Sequence, residues 1–579
     1  MMPFGAEPLA GGGVRFRLWA PAASYVELVF DSRFFPMRGM GDGWFEHAEP
    51  SARPGTLYRY RINGGQLVPD PASRFQPQDC EGPSEVVDPA AFRWKDGWKG
   101  RPWNEAVLYE LHVGTFSPEG TYRGAKRKLP LLAELGVTAI ELMPLSDFAG
   151  RRNWGYDGVL PFAPDGAYGR PEELKALVLA AHDAGLMILL DVVYNHFGPK
   201  GNFLGLYAPQ FFTARHRTPW GEAINFDGAG SRWVREYFIQ NALYWLGEYR
   251  FDGLRFDAVH AIIDDSGRHV LDELCERVRE SFPDRHLVLE NDANQARFLG
   301  AGKYDAQWND DSHHCYHVLA TGEADGYYAA YADAPAKRLA RCLAEGFAYQ
   351  GEVSPFSKEA RGETSTHLPP SCFIDFMQNH DQIGNRAHGE RLASLAEEHK
   401  LRALASILLI APAPPLLFMG EEWGCHQPFL FFCDFEGDLG DAVRKGRREE
   451  FARFAAFADA KARARIPDPL AEQTFKRSVL RWKDARSAPG KSLIDHYRKL
   501  LEVRRNEIAT REFSPGKYRM LGERAFEILW KNGGDGLALV ANCSDATVEV
   551  ESLPAGRLIW GAPAGNRMEP WSVAWWITR

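Results

Sequence analysis

From Trp103 onward, short β-type runs alternate with amphipathic helical repeats, and this alternation limits the fold more than any other feature of the chain. Eight strand candidates can be counted: 107–113, 139–143, 187–193, 253–259, 286–290, 305–308, 373–379 and 415–419. Helical periodicity fills the intervals at 128–135, 172–184, 231–250, 271–281, 337–347 and 400–410, and a last helix follows at 492–505. Eight parallel strands with intervening helices close most economically into a (β/α)8 barrel.

The flanks read differently. Residues 1–95 alternate apolar and polar positions in 14–19, 25–30 and 57–62, with Gly and Pro turns between, which predicts a small β-sandwich. Trp19, Phe45 and Tyr58 fall at alternating positions there and read as core. The barrel segment, 96–510, carries two insertions. A Gly-, Pro- and aromatic-rich stretch of about 30 residues follows His196 without clear periodicity, the pattern of a functional loop walling a cleft. A second insertion, 429–469, carries a charged helix at 441–454. The tail, 511–579, returns to strand patterning at 526–530, 537–541, 547–551 and 573–577, which predicts a small antiparallel β domain.

Charge excludes some functions. The 68 basic and 77 acidic residues are spread along the chain, and the net charge of −9 offers no footprint for nucleic acid or a membrane surface. The basic run Arg444–Arg448 sits among acids and reads as a solvated helix face. No run reaches the roughly 18–20 apolar residues that span a bilayer. Residues 1–14 lack the basic and apolar regions of a signal peptide, and the eight scattered cysteines form no Cys-x-x-Cys pair. A reduced, cytoplasmic protein is expected.

The fourth strand ends in the densest polar knot: Phe251-Asp-Gly-Leu-Arg-Phe-Asp-Ala-Val-His260. Arg255 and Asp257 alternate with Leu254 and Phe256, so the two charges share one strand face. Other strands end alike, in Asp191-Val-Val-Tyr-Asn-His196, in Glu290 and Asp292, in Trp308-Asn-Asp-Asp-Ser-His-His314 and in Gln378-Asn-His-Asp-Gln382. Barrel enzymes place their chemistry at these C-terminal strand ends, so one cleft lined by Asp257, Glu290 and Asp381 is expected. Three acids admit two chemistries, metal-assisted hydrolysis with the histidines as further ligands, or glycoside cleavage by a nucleophile and an acid/base. No His-x-His or His-x-x-x-His pair lies among His196, His260 and His380. The loops carry Trp154, Tyr156, Phe197, Tyr207, Phe211, Phe212 and Trp220, faces suited to sugar rings, which favours glycoside chemistry.

The strings Asp191-Val-Val-Tyr-Asn-His196, Gly253-Leu-Arg-Phe-Asp257, the strand ending at Glu290, and Asn379-His-Asp381 resemble the four signature regions of the α-amylase superfamily, in the family's order. Within it, Asn153-Trp-Gly-Tyr-Asp-Gly158, Asp257-Ala-Val-His-Ala261, Ala306-Gln-Trp-Asn-Asp-Asp311 with His313-His314, Gln378-Asn-His-Asp-Gln-Ile-Gly-Asn-Arg386 and the segment 434–444 resemble the maltooligosyltrehalose trehalohydrolases.

The resemblance implies a retaining glycoside hydrolase that cleaves the α-1,4 bond beside the terminal trehalosyl unit of a maltooligosyltrehalose. Branching or debranching of α-glucan is the alternative within the superfamily, and a non-catalytic barrel scaffold a remote one. It implies Asp257 as nucleophile, Glu290 as acid/base and Asp381 as transition-state stabiliser, with Arg255 keeping Asp257 ionised. His196 and His380 would hydrogen-bond the reacting ring and Tyr156 would stack beneath it. Trp154, His260 and Gln382 join them as binding residues, and Asp310, Asp311 and His313 are candidates for recognising the α,α-1,1 linkage. No cofactor is implied, and the type resembled is calcium-free although Asn195 precedes His196. Malto-oligosaccharides are the expected ligands, and a synthase that makes the substrate the expected pathway partner.

Overall fold

The computed structural model describes residues 2–453, 455–457 and 459–579. Its centre is a closed eight-stranded parallel barrel. We label its strands β1 (Leu108–Leu111), β2 (Ala139–Leu142), β3 (Met187–Val192), β4 (Gly253–Phe256), β5 (His286–Leu289), β6 (Ala306–Trp308), β7 (Phe373–Phe376) and β8 (Pro415–Phe418). Each pairs in parallel with the next, and β1 closes on β8 through Leu108–Leu416 to Glu110–Phe418. Leu108, Ala139, Met187, Leu189, Val288, Ala306, Trp308, Ile374, Phe376 and Leu416 fill one buried cluster, so most strand residues are apolar on both faces.

The eight strands lie where the pattern predicts them, and seven of them stop one to three residues early at their polar ends, while β6 ends at Trp308 as predicted. The reason is visible at β4. Asp257 still donates its N–H to Val192 O (3.1 Å), but Ala258 adopts φ +39°, a left-handed conformation that ends the extended path. After β7 the chain turns into the short helix His380–Gly384. Asn379 caps it, accepting the N–H groups of Asp381 and Gln382.

Two antiparallel sheets form the N-terminal part. One runs Gly5–Pro8, Val14–Trp19, Trp44–Glu49, Arg38–Gly41, and the other Arg33–Pro36, Val26–Phe30, Leu57–Ile62, Leu67–Val68, with Ser84–Glu85 against Leu57–Ile62. Phe16 meets Tyr58 between the sheets, ring centroids 4.8 Å apart, and Trp19, Phe45 and Tyr58 are core residues. The C-terminal sheet orders its strands Lys517–Met520, Ala525–Asn532, Asp535–Asn542, Ser572–Thr578, Gly556–Trp560. Its stacked Trp530 and Trp575 donate indole N–H groups to Leu343 O (3.2 Å) and Ser406 O (3.0 Å), which docks the sheet on two barrel helices.

Two insertions depart from expectation. The stretch after His196 contains a hairpin, Phe212–Thr218 with Gly221–Ile224, whose short charged strands show no apolar alternation. The charged helix of the second insertion runs Gly437–Glu450, so it starts and stops earlier than 441–454, and Phe454 lies outside the described residues. Among the described residues no helix is long and apolar enough to cross a membrane.

Candidate active site

Arg255, on β4 and 1 % exposed, is met by residues from the C-terminal ends of β3, β4, β5 and β6. Its Nη1 donates to Asp191 Oδ1 and Oδ2 (2.9 and 2.8 Å) and to Asp257 Oδ1 (2.9 Å), and its Nη2 reaches Glu290 Oε2 (3.0 Å). Its guanidinium carbon stands 4.2 Å from the centre of the Trp308 ring. One planar cation therefore fixes three carboxyls at once and supplies the charge that a buried acid needs.

Each acid has further partners. Asp257 accepts a hydrogen bond from the Asn195 amide at Oδ2 (3.0 Å). Glu290 Oε2 accepts the backbone N–H of Ala258 (2.7 Å), and the left-handed φ of Ala258 aims that donor. Asp381 accepts from Asn385 Nδ2 (2.7 Å). Burial raises Glu290 above the ordinary carboxylate range, with Asp257 adding to the rise and Arg255 opposing it. Burial likewise raises Asp381, against the pull of His380. Burial also pushes Asp191 up to about 7, with Arg255 opposing.

One wall is built by the turn Asn153–Asp157. Gly155 holds φ +108°, and a Cβ there would meet Pro144 O at 2.2 Å, so only glycine passes this point. The turn delivers Tyr156, whose hydroxyl donates to Asp191 Oδ2 (2.6 Å) and whose ring stacks on His380 at 5.0 Å. His380 Nδ1 pairs with the Glu110 carboxylate, and Glu110 also accepts the His380 backbone N–H (3.1 Å). Burial opposes the charge on His380, but the Glu110 pair wins and raises it to about 9.

His196 is stacked on the half-exposed Trp220 at 4.6 Å, and both of its ring nitrogens are engaged, with Asn195 Oδ1 (2.5 Å) and Tyr156 O (2.9 Å). Neither ring nitrogen is free, so the expected hydrogen bond to a sugar ring would have to displace Asn195 or Tyr156. His260 is exposed and accepts the Asp292 N–H at Nδ1 (3.3 Å). Gln382 spans the opposite rim, donating to Asp310 Oδ1 (3.4 Å) and accepting the Tyr327 hydroxyl (3.2 Å). Burial raises Asp310 well above the carboxylate range, with Glu290 and Asp292 adding to it.

Three expected binding residues turn away from the cleft. Trp154 is 5 % exposed, donates to Leu430 O (2.9 Å) and packs on Phe429 and Phe431. Gly384 makes room for it, since a Cβ there would meet the indole at 2.0 Å. Asp311 is fully buried and accepts the Tyr331 hydroxyl (2.5 Å), Ala348 N–H (2.9 Å) and Asn294 Nδ2 (3.2 Å). His313 bridges Met377 O (2.7 Å) and Tyr328 Oη (3.2 Å), and burial lowers it to about 3. Asp310 and Asp311 are adjacent on the helix Asp310–Thr321, about 100° apart around its axis, so only one of them faces the cleft.

Other participants hold positions to which the sequence reading gave no part in the site. Asp191, Glu110 and Asn195 belong to the polar network, and Asn195 spends its amide on Asp257 and on the main-chain carbonyls of Asp257 and Ala258. Below them, Glu141 of β2 is 1 % exposed with neither carboxyl oxygen hydrogen-bonded, and burial raises it well above the ordinary carboxylate range against the pull of Arg255. Apolar neighbours in β1 and β2 made Glu110 and Glu141 hard to tell from ordinary strand polars.

Comparison with known proteins matches this architecture. The family described as Alpha amylase, catalytic domain, matches residues 66–205, Carbohydrate-binding module 48 matches 3–89, and a domain of unknown function, DUF3459, matches 515–575. The Malto-oligosyltrehalose trehalohydrolase of Deinococcus radiodurans is 44% identical over 87% of this chain and 83% of its own length. That of Saccharolobus solfataricus is 38% identical, covering 87% of each. A Salmonella typhimurium protein assigned to the alpha amylases superposes over 100% of both chains with TM-score 0.95 at 47% identity. Relatives this similar over this much of their length show that the chain belongs to the malto-oligosyltrehalose trehalohydrolase family of the α-amylase superfamily.

Proposed function

We propose that this chain hydrolyses the α-1,4 bond beside the terminal trehalosyl unit of maltooligosyltrehalose with retention of configuration, giving free trehalose and a shortened maltooligosaccharide. The observation that carries the chemistry is Arg255, whose one guanidinium binds Asp257 Oδ1 (2.9 Å) and Glu290 Oε2 (3.0 Å) together. A shared guanidinium keeps two carboxyls close, which suits the roughly 5–5.5 Å separation of a retaining pair better than the wider gap of an inverting one.

In this reading Asp257 attacks the anomeric carbon while Glu290 gives its proton to the departing oxygen. A covalent glycosyl–enzyme results. Glu290 then removes a proton from water, which attacks the same carbon and releases Asp257. Burial raises Glu290 toward its protonated form, whereas Asp257 accepts hydrogen bonds from both Arg255 and Asn195, so the two acids sit in different environments suited to the two roles. Asp381 and His380 grip hydroxyls of the reacting sugar, and Tyr156 offers its ring beneath it. Of the residues after β6, Asp310 with Gln382 is positioned to read the trehalosyl side. The functional division is a carbohydrate-module-like N-terminal part over 1–95, a catalytic barrel over 96–510 and a C-terminal β domain over 511–579. The protein works in the cytoplasm, downstream of a synthase that makes its substrate.

Product analysis tests the reading. Maltopentaosyl trehalose should release trehalose rapidly, and maltohexaose should be attacked slowly. Equal attack on both substrates would replace this function by a general α-glucanase, and chain transfer without new reducing ends by a branching enzyme.

A further inference from the structure

Away from the catalytic carboxylates, three segments of the chain meet at a small acidic pocket. Asp79 and Cys80 come from the loop between the N-terminal strands Leu67–Val68 and Ser84–Glu85, and Asp147 from the short strand Ser146–Asp147 that precedes the Asn153–Asp157 turn. One ligand atom from each of Asp79, Cys80 and Asp147 lies within 4.8 Å of the others. Asp147 is 1 % exposed and its Oδ1 has no hydrogen-bond partner. Cys80 is also 1 % exposed, with Sγ 3.9 Å from Lys200 O on the loop after His196. Asp79 is exposed and opens the pocket to solvent.

The charge balance is incomplete. Asp165, fixed by the N–H groups of Phe148 (3.1 Å) and Ala167 (2.7 Å), stands beside Asp147 as a further acid. Among the described residues no ion pair to Asp79, Asp147 or Asp165 is formed, and Arg151 acts on Asp165 only through its charge. Backbone donors satisfy only part of the Asp79 carboxylate, through Cys80 N–H (2.6 Å) and Gly150 N–H (2.9 Å), and a carboxylate has about four acceptor positions. Buried carboxylates that lack a basic partner are matched by a proton or by a metal cation. A thiol within reach of two carboxylates selects among cations, since sulfur suits Zn2+ and its transition-metal neighbours and not Ca2+ or Mg2+.

We propose that Asp79, Cys80 and Asp147 form a structural site for Zn2+, with the Lys200 carbonyl completing the set. Ligand bonds of about 2.0–2.3 Å in a tetrahedron require donor atoms somewhat under 4 Å apart, so a contraction of about 1 Å assembles it. The thiol gives its proton to solvent on binding, and the metal takes the sulfur lone pair in its place. The bound cation ties the N-terminal part to the strand leading into Tyr156 and to the loop leaving His196, so its effect is on stability and on the rigidity of one cleft wall.

The test is a Co2+ titration of the full chain after stripping with a chelator. One equivalent should bind with a thiolate-to-cobalt charge-transfer band in the near ultraviolet, Zn2+ should displace it, and either metal should raise the melting temperature. Cys80→Ser should lose the band, and the isosteric Asp147→Asn should lose the binding, both with the fold unchanged by circular dichroism. Absence of the band in the unaltered chain overturns the proposal, as does a band that survives in Cys80→Ser, which would assign it to another of the eight cysteines.

Discussion

The Glu110–His380 pair lies at the floor of the cleft, and Glu110→Gln isolates its charge. Glutamine keeps the side-chain length and an acceptor for His380, so little packing is lost. Against an ordinary histidine near 6.5, a folded-state value of about 9 corresponds to about 3 kcal/mol of stability. Because the folded-state value is raised, this stability is complete below pH 6.5 and is lost as pH rises through about 9. In the variant the burial that opposes charging is met only by the charge of Asp381, so His380 should titrate well below its value in the parent. The gap between the two proteins should therefore be about 3 kcal/mol or more at pH 6 and should close toward pH 10. Urea unfolding at a series of pH values measures it. A gap that stays constant from pH 6 to pH 10 would refute a charged His380 and leave only a steric role for Glu110.

Three further outcomes follow from the geometry. Asp257→Ala should lower turnover of maltooligosyltrehalose by more than about 10⁴-fold while leaving the circular dichroism and melting temperature near those of the parent, as expected for loss of a nucleophile; retained activity would remove Asp257 from that role. Asn195→Ala takes a charge-assisted hydrogen bond worth about 1.5–3 kcal/mol from Asp257, so kcat/KM should fall about 10–100-fold with KM little changed, read by steady-state kinetics. Trp154→Ala should cost about 3–5 kcal/mol in denaturant unfolding, because the ring is buried against Phe429 and Phe431; an altered KM without lost stability would return Trp154 to the cleft surface.

Much of this protein is legible in its sequence because barrel strands carry a simple signal. Each strand buried on both faces reads as a continuous apolar run, and polar residues cluster only where the run ends at the cleft. Arg255, Asp257, Glu290 and Asp381 stand out on that ground, and the structure brings Arg255, Asp257 and Glu290 into direct contact. Strand ends are read less well, because the last ladder bond at Asp257 coexists with a left-handed Ala258, and nothing in alternation reports a φ angle. The hairpin at 212–224 escaped for a related reason: its first strand has no buried residue and its second buries only Ala223 and Ile224, so no apolar period marks them.

The direction of individual side chains required the tertiary structure. Asp310 and Asp311 are the same residue type one position apart, and only the docking of their helix decides that one meets Gln382 while the other is consumed by Tyr331 and three segments of loop. Trp154 and Tyr156 share one turn, yet Gly384 opens a slot for the first and Asp191 draws the second into the cleft. Glu110 and Glu141 are single acids in apolar strands; Glu110 finds its partner His380 270 positions away along the chain, and Glu141 is left unpaired, feeling only the charge of Arg255. The sequence by itself determined the barrel and which strand ends are charged, since both follow from local periodicity. Which acid is paired, which is protonated and which is turned away are long-range electrostatic and packing outcomes, and only the closed barrel decides them.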